Sequence, residues 1–455
     1  MLKKRPANFL VTRLLVIALG IFGSFFAPVY LLIPLIFGYL VIREATVEQL
    51  LDYVFWLTIV AIFFGAYLSV PSYENLYLFR FLLPVYGVLA IISNSFDFEQ
   101  FKQYKVPLIS LMIYFGVSLI TLVWAPKVNL GFRYTYFVLE IFFIFFMSFK
   151  EIKTKQRFDK VMDLIFIVYL INLAVGIYEI LSGNHLKLSG ANLYVTTTIK
   201  YQPTGFLFNP NDFALFLAGL YPLVVVVIQR RFEPLKRDIL YAVVTLLTLY
   251  IIVSTYSRIG MLSIGISVVA TYGYIYKKNG FIAICLFLPP ILLGAYSLGI
   301  GTHIWDIAYS SFSDKQNSTS ARENMYLLLW QICKDSRFMG VGAGNSPYVL
   351  NSLMLGYFNT GEASYTTGHN FILETIANVG IFGFLGLFGG VIGSYSVQLI
   401  KNIMNKITLE LLCSGLVLIA FMGSTIALST ILEKRFLWFM LALGLVMINK
   451  SKLKN

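Results

Sequence analysis

Three side chains of this 455-residue sequence have the type and setting for chemistry: His369, Arg322 and Arg258. A histidine gains and loses a proton near neutral pH and is a natural general base. An arginine stays charged and can grip a phosphate or diphosphate through its fork of N–H groups. His369 stands in Gly368-His369-Asn370, where a polar stretch turns apolar, and could serve either as a base or as an interfacial cap for the helix that starts there. Arg322 lies in Ser320-Ala321-Arg322-Glu323, which reads as a capping box with Ser320 as N-cap. That places a cation in the first helical turn, unfavourable by itself and favourable once an anion sits between it and the free amides. Pairing with Glu323, Asp314 or Glu362 is the plain alternative. Arg258 follows Ser254-Thr255-Tyr256-Ser257 in a connection so short that two long apolar runs nearly fuse around it. An ionisable residue at such depth marks a functional site or a buried pair, unless it snorkels to the interface.

Around these stand candidate binding residues. The run Gly340-Val341-Gly342-Ala343-Gly344-Asn345 could form a backbone nest for phosphate oxygens through Gly342, Gly344 and Asn345, or simply a flexible turn after the helix of Arg322. It lacks the lysine and the preceding strand of a P-loop. Asn370 adjoins the candidate base. Asn209-Pro210 should cap and open a helix, with Asn211 and Asp212 just inside it, able to line a cavity or to cap. His185 and His303 read as ordinary surface histidines. No histidine has a carboxylate or second histidine at ligand spacing, the outer segments hold no Asp-x-Asp pair, and Cys285, Cys333 and Cys413 lack zinc-like spacing. Neither a metal nor a cofactor is expected.

What must position these residues is membrane. The chain is 58% hydrophobic and 13% charged with mean hydropathy +0.77, which implies an all-α, polytopic integral membrane protein. Short apolar runs at 14–26 and 28–42 are followed by twelve more, from 53–70 to 434–448, so about 12–14 transmembrane helices are expected. No small-residue cleavage site follows the first run, so it reads as retained. The net charge of +13 is a topology signal rather than a nucleic-acid footprint. Alternate connections hold the four basic residues of the N-terminus, Arg43, Lys102 and Lys105, five over 150–160, and four over 229–238. They also hold Lys277 and Lys278, Lys401 and Lys406, and three after Asn449, for 23 of the 35 in all. These loops are therefore cytoplasmic, with both termini. The expectation is one transmembrane domain over 1–455, a long extracytoplasmic loop at 301–375 containing short helices, and a smaller one at 183–206. All three histidines then fall on the outer side.

Four stretches in this order resemble the O-antigen ligase and O-antigen polymerase family: Gly205–Ala214, Ser254–Arg258, Ser320–Trp330 leading into Gly340–Asn345, and His369–Glu374 with Gly380 and Gly383. The resemblance covers about 205–383. It implies a transferase of the bacterial cytoplasmic (inner) membrane that moves glycan from an undecaprenyl-diphosphate carrier onto a hydroxyl of a glycan or lipid-anchored acceptor, at the outer face. Its functional positions fall on Arg258, Arg322 and His369. The chemistry agrees: two arginines can stabilise a diphosphate leaving group without a metal, and a neutral histidine can take the acceptor's proton. The partners expected are the lipid-linked oligosaccharide, the acceptor and membrane lipid. A flippase or transporter of lipid-linked oligosaccharide is the alternative, but it would place its polar residues near the bilayer midplane. A cell-wall glycosyltransferase of the shape, elongation, division and sporulation class would rely on an outer carboxylate base.

Overall fold

The computed structural model describes residues 45–70, 73–93, 101–193, 200–297, 316–354, 367–428 and 431–454, with a few positions between 35 and 43. The two opening apolar runs lie essentially outside them, as does His303. Each of the other twelve runs is helical. In chain order the helices are α1 (Val47–Phe64), α2 (Leu78–Ile92), α3 (Lys105–Ile120), α4 (Val128–Glu151), α5 (Lys155–Ser182), α6 (Pro210–Arg231), α7 (Pro234–Ser254) and α8 (Arg258–Ser297). There follow α9 (Gln316–Asp335), α10 (Ser346–Leu353), α11 (Phe371–Phe384), α12 (Gly393–Asn405), α13 (Leu409–Ala427) and α14 (Arg435–Ile448). α8 joins two runs across a break at Lys277 (φ 53°, ψ −142°). A π-helical stretch, Leu385–Ile392, carries α11 into α12. Among the described residues nine helices are long and apolar enough to cross a membrane, and α2 and α14 are shorter apolar helices. The all-α, polytopic class holds. One short antiparallel hairpin, β1 (Ser69–Val70) with β2 (Tyr73–Tyr77), stands beside the helices.

The chain forms two compact units, one of residues 1–99 with 186–189, the other of 100–185 with 190–455. In the first, α1 opens with a reciprocal capping box between Thr46 and Gln49, and α2 packs along it.

The second unit carries every candidate site residue. Its centre is α6, around which α5, α7, α8, α13 and α14 pack. The start of α6 is set by Asn209, whose Oδ1 accepts from the Asn211 amide, and by Pro210 at the first position. From Asp212 to Ile228 every residue is buried, as a helix apolar all round must be. Gly219 lets α14 approach: a Cβ there would lie 2.4 Å from the Met440 sulfur. Hydroxyl pairs fix the register of neighbouring helices, Tyr221 with Thr245 (2.8 Å), Tyr169 with Thr248 (2.7 Å) and Tyr241 with Thr271 (2.6 Å). Each such bond is worth about 0.6–2 kcal/mol in an apolar bundle.

Alternation of chain direction gives this bundle two ends. At one, Arg230 pairs with Asp159 and Glu410, Arg231 with Asp163, and Lys155 bonds to Lys454. At the other, Lys434 pairs with Asp212 and Arg133 with Glu433. Inside, Arg435 of α14 grips Glu140 of α4 through two bonds (2.9 and 3.2 Å), with side chains only 9% and 1% exposed. Replacing Glu140 by leucine takes away this carboxylate and strands a buried charge. We expect a loss of about 3–5 kcal/mol, most of it recovered in the double variant Glu140→Leu, Arg435→Met. Thermal unfolding of the detergent-solubilised protein measures both.

Candidate functional site

The glycine run Gly340–Asn345 is held by a break in a helix. At Gly380, α11 adopts φ 70°, ψ −172°, which interrupts the regular hydrogen bonding of the helix. The loop after α9 enters this break. Val341 donates its amide to Ala377 O (2.8 Å) and Gly342 to Asn378 O (3.0 Å), while Ile381 donates to Phe338 O (2.9 Å). Such proximity needs glycine. A Cβ on Gly340 (φ 81°) would lie 2.6 Å from Asn378 O and from the Gly380 amide; one on Gly342 (φ 105°) would lie 2.6 Å from the Ala125 Cα; one on Gly344 (φ 68°) would lie 2.7 Å from Leu130 O.

Asn345 is fully buried and pairs with the backbone of Lys127, accepting its amide on Oδ1 (2.8 Å) and donating from Nδ2 to its carbonyl (3.2 Å). Asn378 Oδ1 accepts the Ser346 amide (2.7 Å), Thr121 Oγ1 that of Ala343 (3.1 Å), and the Trp124 indole donates to Gly340 O (2.9 Å). The amides of Val341, Gly342, Ala343, Asn345 and Ser346 are thus engaged within the protein. Gly342, Gly344 and Asn345 form a rigid clasp, where the sequence allowed a phosphate nest or a flexible turn.

The clasp brings α9 against α11. Leu329, Ile332 and Cys333 of α9 pack on Ile376 and Ala377 of α11 and on Leu350 of α10. Helix α9 begins at Gln316, four residues before Ser320, because nothing from Gln316 to Thr319 stops a helix. The capping box read at Ser320 and Glu323 is therefore not the helix start, and Arg322 stands in the second turn, away from the free amides. What its charge acts on instead is the histidine. Arg322 and Tyr326, one turn apart, share a face of α9. The Tyr326 hydroxyl donates to the His369 carbonyl (3.2 Å), and the Arg322 charge reaches both side chains.

His369 is a left-handed residue, φ 53°. Asn370 is the N-cap of α11, its Oδ1 accepting from the Leu373 amide (3.1 Å). From the first turn of α11 the Glu374 carboxylate reaches back to the amides of Gly368 (2.5 Å) and His369. Gly368 lies under Leu329, whose Cδ1 would be 2.3 Å from a Cβ. The His369 Nδ1 is buried with no hydrogen-bond partner among the described residues. Burial, and then the Arg322 guanidinium, hold its imidazole below the ordinary value of 6.5, so the ring is neutral at pH 7. Beside Thr375 of α11 the Tyr114 and Tyr134 hydroxyls share a 2.6 Å bond.

Arg258 is half-buried and starts α8, after a turn that bends through Tyr256 (φ 59°). Ser257 Oγ accepts the Gly260 amide (3.3 Å), and Gly260 lies so close to α6 that a Cβ would come within 2.6 Å of Ala214. Arg258 therefore shares the N-terminal end of α6 with Asn211 and with Asp212, which is buried against Lys434. So Arg322 and His369 are brought together by α9 and α11, and Arg258, Asn211 and Asp212 by α6 and α8. At the smaller loop, Glu179 in the last turn of α5 is buried and accepts the amides of Thr204 (2.7 Å) and Gly205 (2.8 Å). His185 lies against it, and that contact raises the imidazole's pKa.

Residues 243–388 match the model of the O-antigen ligase family, a span that takes in Arg258, Arg322, the glycine clasp and His369. The chain is also 27% identical over 416 residues to the teichuronic acid biosynthesis protein TuaE of Bacillus subtilis (strain 168), covering 85% of this chain and 81% of that protein. The resemblance drawn from the motifs is borne out. The chain is a multi-pass membrane protein, and its similarity to the O-antigen ligase family and to a teichuronic acid biosynthesis protein supports a polysaccharide-biosynthesis enzyme of the polymerase or ligase type.

The clasp makes a test. Gly342→Ala puts a side chain at φ 105° against the Ala125 backbone and should cost about 2 kcal/mol or more. Gly116→Ala, inside α3 with nothing within 4 Å, should be neutral or stabilising by about 0.5–1 kcal/mol. Their melting temperatures in detergent, compared with the wild type, decide it.

Proposed function

We propose that the protein is a metal-independent glycosyltransferase that uses glycan carried on undecaprenyl diphosphate and joins it, at the outer face of the cytoplasmic membrane, to the hydroxyl of a growing surface polysaccharide. The observation that carries this reading is the half-buried His369 on the turn before α11, bonded through its carbonyl to Tyr326 of α9 and within reach of the Arg322 charge one turn away on the same helix. His369 takes the proton of the acceptor hydroxyl as its oxygen attacks the anomeric carbon. The bond from that carbon to the diphosphate oxygen breaks, and undecaprenyl diphosphate leaves with the electron pair. Attack opposite the leaving group inverts the anomeric configuration.

Arg322 meets the charge that develops on the diphosphate, and Arg258, at the head of α8, is its second cation. Fixed cations of this kind lower the barrier because they need no reorganisation as the bond breaks. Asn370 and Asn211 lie beside the two groups and are positioned to contact sugar or phosphate. The charge asymmetry supports the orientation: the bundle end with Arg230, Arg231 and Lys450 carries basic loops of the kind expected in the cytoplasm, and the end with His369 then faces outward. The 301–375 segment, with α9 and α10, is then an outer loop over one transmembrane domain.

The similarity to a teichuronic acid biosynthesis protein favours a surface polysaccharide as product. Cells lacking the gene should accumulate lipid-linked repeat units, and the wild-type gene should restore long chains. His369→Ala, Arg322→Ala and Arg258→Ala, at matched membrane levels, should leave single repeats when surface and lipid-linked glycans are resolved by length. Long chains stranded on the carrier would instead identify transfer to a separate anchor. Normal glycan from all three substitutions would return the transporter reading to first place.

The pH dependence has a defined sign. The base must be unprotonated, so activity falls as pH drops through the His369 pKa. Burial and Arg322 place that pKa below 6.5, so the acid limb of kcat/KM should lie below 6.5. Arg322→Gln removes a depressing charge and should move the limb up in pH while lowering the rate.

A further inference from the structure

We infer that Glu374 is the positioning residue of the His369 base, an assignment that rests on the proposed function. Its carboxylate accepts the Gly368 and His369 amides, and so fixes the one residue whose ring must meet the acceptor hydroxyl.

The case is geometric. A non-glycine residue at φ 53° is disfavoured by about 1–2 kcal/mol and holds that conformation only where its neighbours dictate it. At His369 both backbone dipoles are taken: the amide by Glu374, the carbonyl by the Tyr326 hydroxyl. The preceding Gly368 is pressed under Leu329, and the following Asn370 is committed to capping α11. The chain therefore has one path through the histidine, and Glu374 supplies two of the bonds that define it. Glu374 is itself immobile, 8% exposed in the first turn of α11 next to Thr375, whose hydroxyl is bonded to Phe371 O (2.7 Å). It makes no ion pair among the described residues, so its acceptor capacity is directed at these amides.

Burying an ionisable carboxyl is costly, and a residue kept only to cap a helix does not need one when Asn370 already occupies the N-cap. The ring gains from the arrangement as well. Its Nδ1 is buried and unbonded among the described residues, so side-chain hydrogen bonding on that nitrogen does not orient it; the backbone does. In the usual triad-like scheme an acidic partner orients a catalytic imidazole through the ring N–H. Here the acid acts one covalent step back, through the main chain.

The test uses the full-length protein in nanodiscs, with lipid-linked glycan extracted from cells lacking the gene as the probe substrate. Glu374→Ala should lower kcat about a hundredfold, the penalty for a misplacement of about 1 Å, with KM for the donor within about twofold. Glu374→Gln keeps an acceptor oxygen and should restore kcat to within about threefold. Glu374→Asp, with its carboxyl withdrawn by one methylene, should resemble alanine. Elution from size exclusion and melting temperature establish that each variant is folded; if Glu374→Ala is not, the aspartate and glutamine variants carry the comparison. Wild-type kcat in either Glu374→Ala or Glu374→Asp overturns the assignment, as does a glutamine variant as slow as alanine. His369→Ala run alongside separates the two levels: full activity there removes the base reading itself, whereas loss there with normal Glu374→Ala removes only the role of Glu374.

Discussion

The structure of the candidate site depends on how a broken helix satisfies its own backbone. In apolar surroundings a carbonyl without a donor costs several kcal/mol, and irregular backbone persists there only when it is buried in protein. Gly380 breaks α11, and the carbonyls of Ala377 and Asn378 receive amides from Val341 and Gly342 of the loop that follows α9. The exchange runs both ways, since Ile381 donates back to Phe338 O. Neither segment is complete without the other. Because two left-handed residues, Arg337 and Phe338, follow the end of α9, its direction into the loop is set as tightly as the loop's path through the break. The Arg322 charge reaches His369 because these two elements pack together in this way.

A second constraint works from the centre of the bundle. Helix α6 is buried along nearly all its length, so its neighbours are fixed by shape, by close approach at Gly219 and Gly260, and by hydroxyl pairs. Its ends are fixed by charge: Asp212 with Lys434 at one, Arg230 with Asp159 and Glu410 at the other. Arg258 inherits its place from this frame, as the first residue of a helix whose first turn presses on Ala214 through Gly260. The two arginines of the proposed site are therefore positioned by separate mechanisms, one by the clasp and one by the core.

The parts of this arrangement that were legible in the sequence are those that depend on local composition. Apolar runs predict helices because length and hydropathy suffice, and Asn209-Pro210 predicts the start of α6 because capping chemistry is local. The Ser320 box fails for a physical reason: a capping pattern marks a start only if the preceding residues cannot extend the helix, and Gln316–Thr319 can. The glycines at 340, 342 and 344 were visible, but their use is decided by Ala125, Leu130 and Asn378, far away in sequence. Lys434 and Asp212 are 222 residues apart, and no local signal joins them. Tyr326 and Glu374 had a weak one, a single helical turn from Arg322 in one case and from the His369 turn in the other.

In the proposed reaction Arg322 links the two halves of the chemistry. While the site is empty, burial, and then the Arg322 charge, hold the His369 imidazole low, which favours the unprotonated ring but also makes it a weaker base. A bound diphosphate brings negative charge to the guanidinium and cancels much of that field. The histidine then becomes more basic when a donor is in place, and less so when none is. As the glycosidic bond breaks and charge accumulates on the leaving group, the same anion stabilises the imidazolium that His369 has become. A single cation on the second turn of α9 thus makes the strength of the base depend on the presence of the leaving group, which ties removal of the acceptor's proton to the step in which the carrier departs.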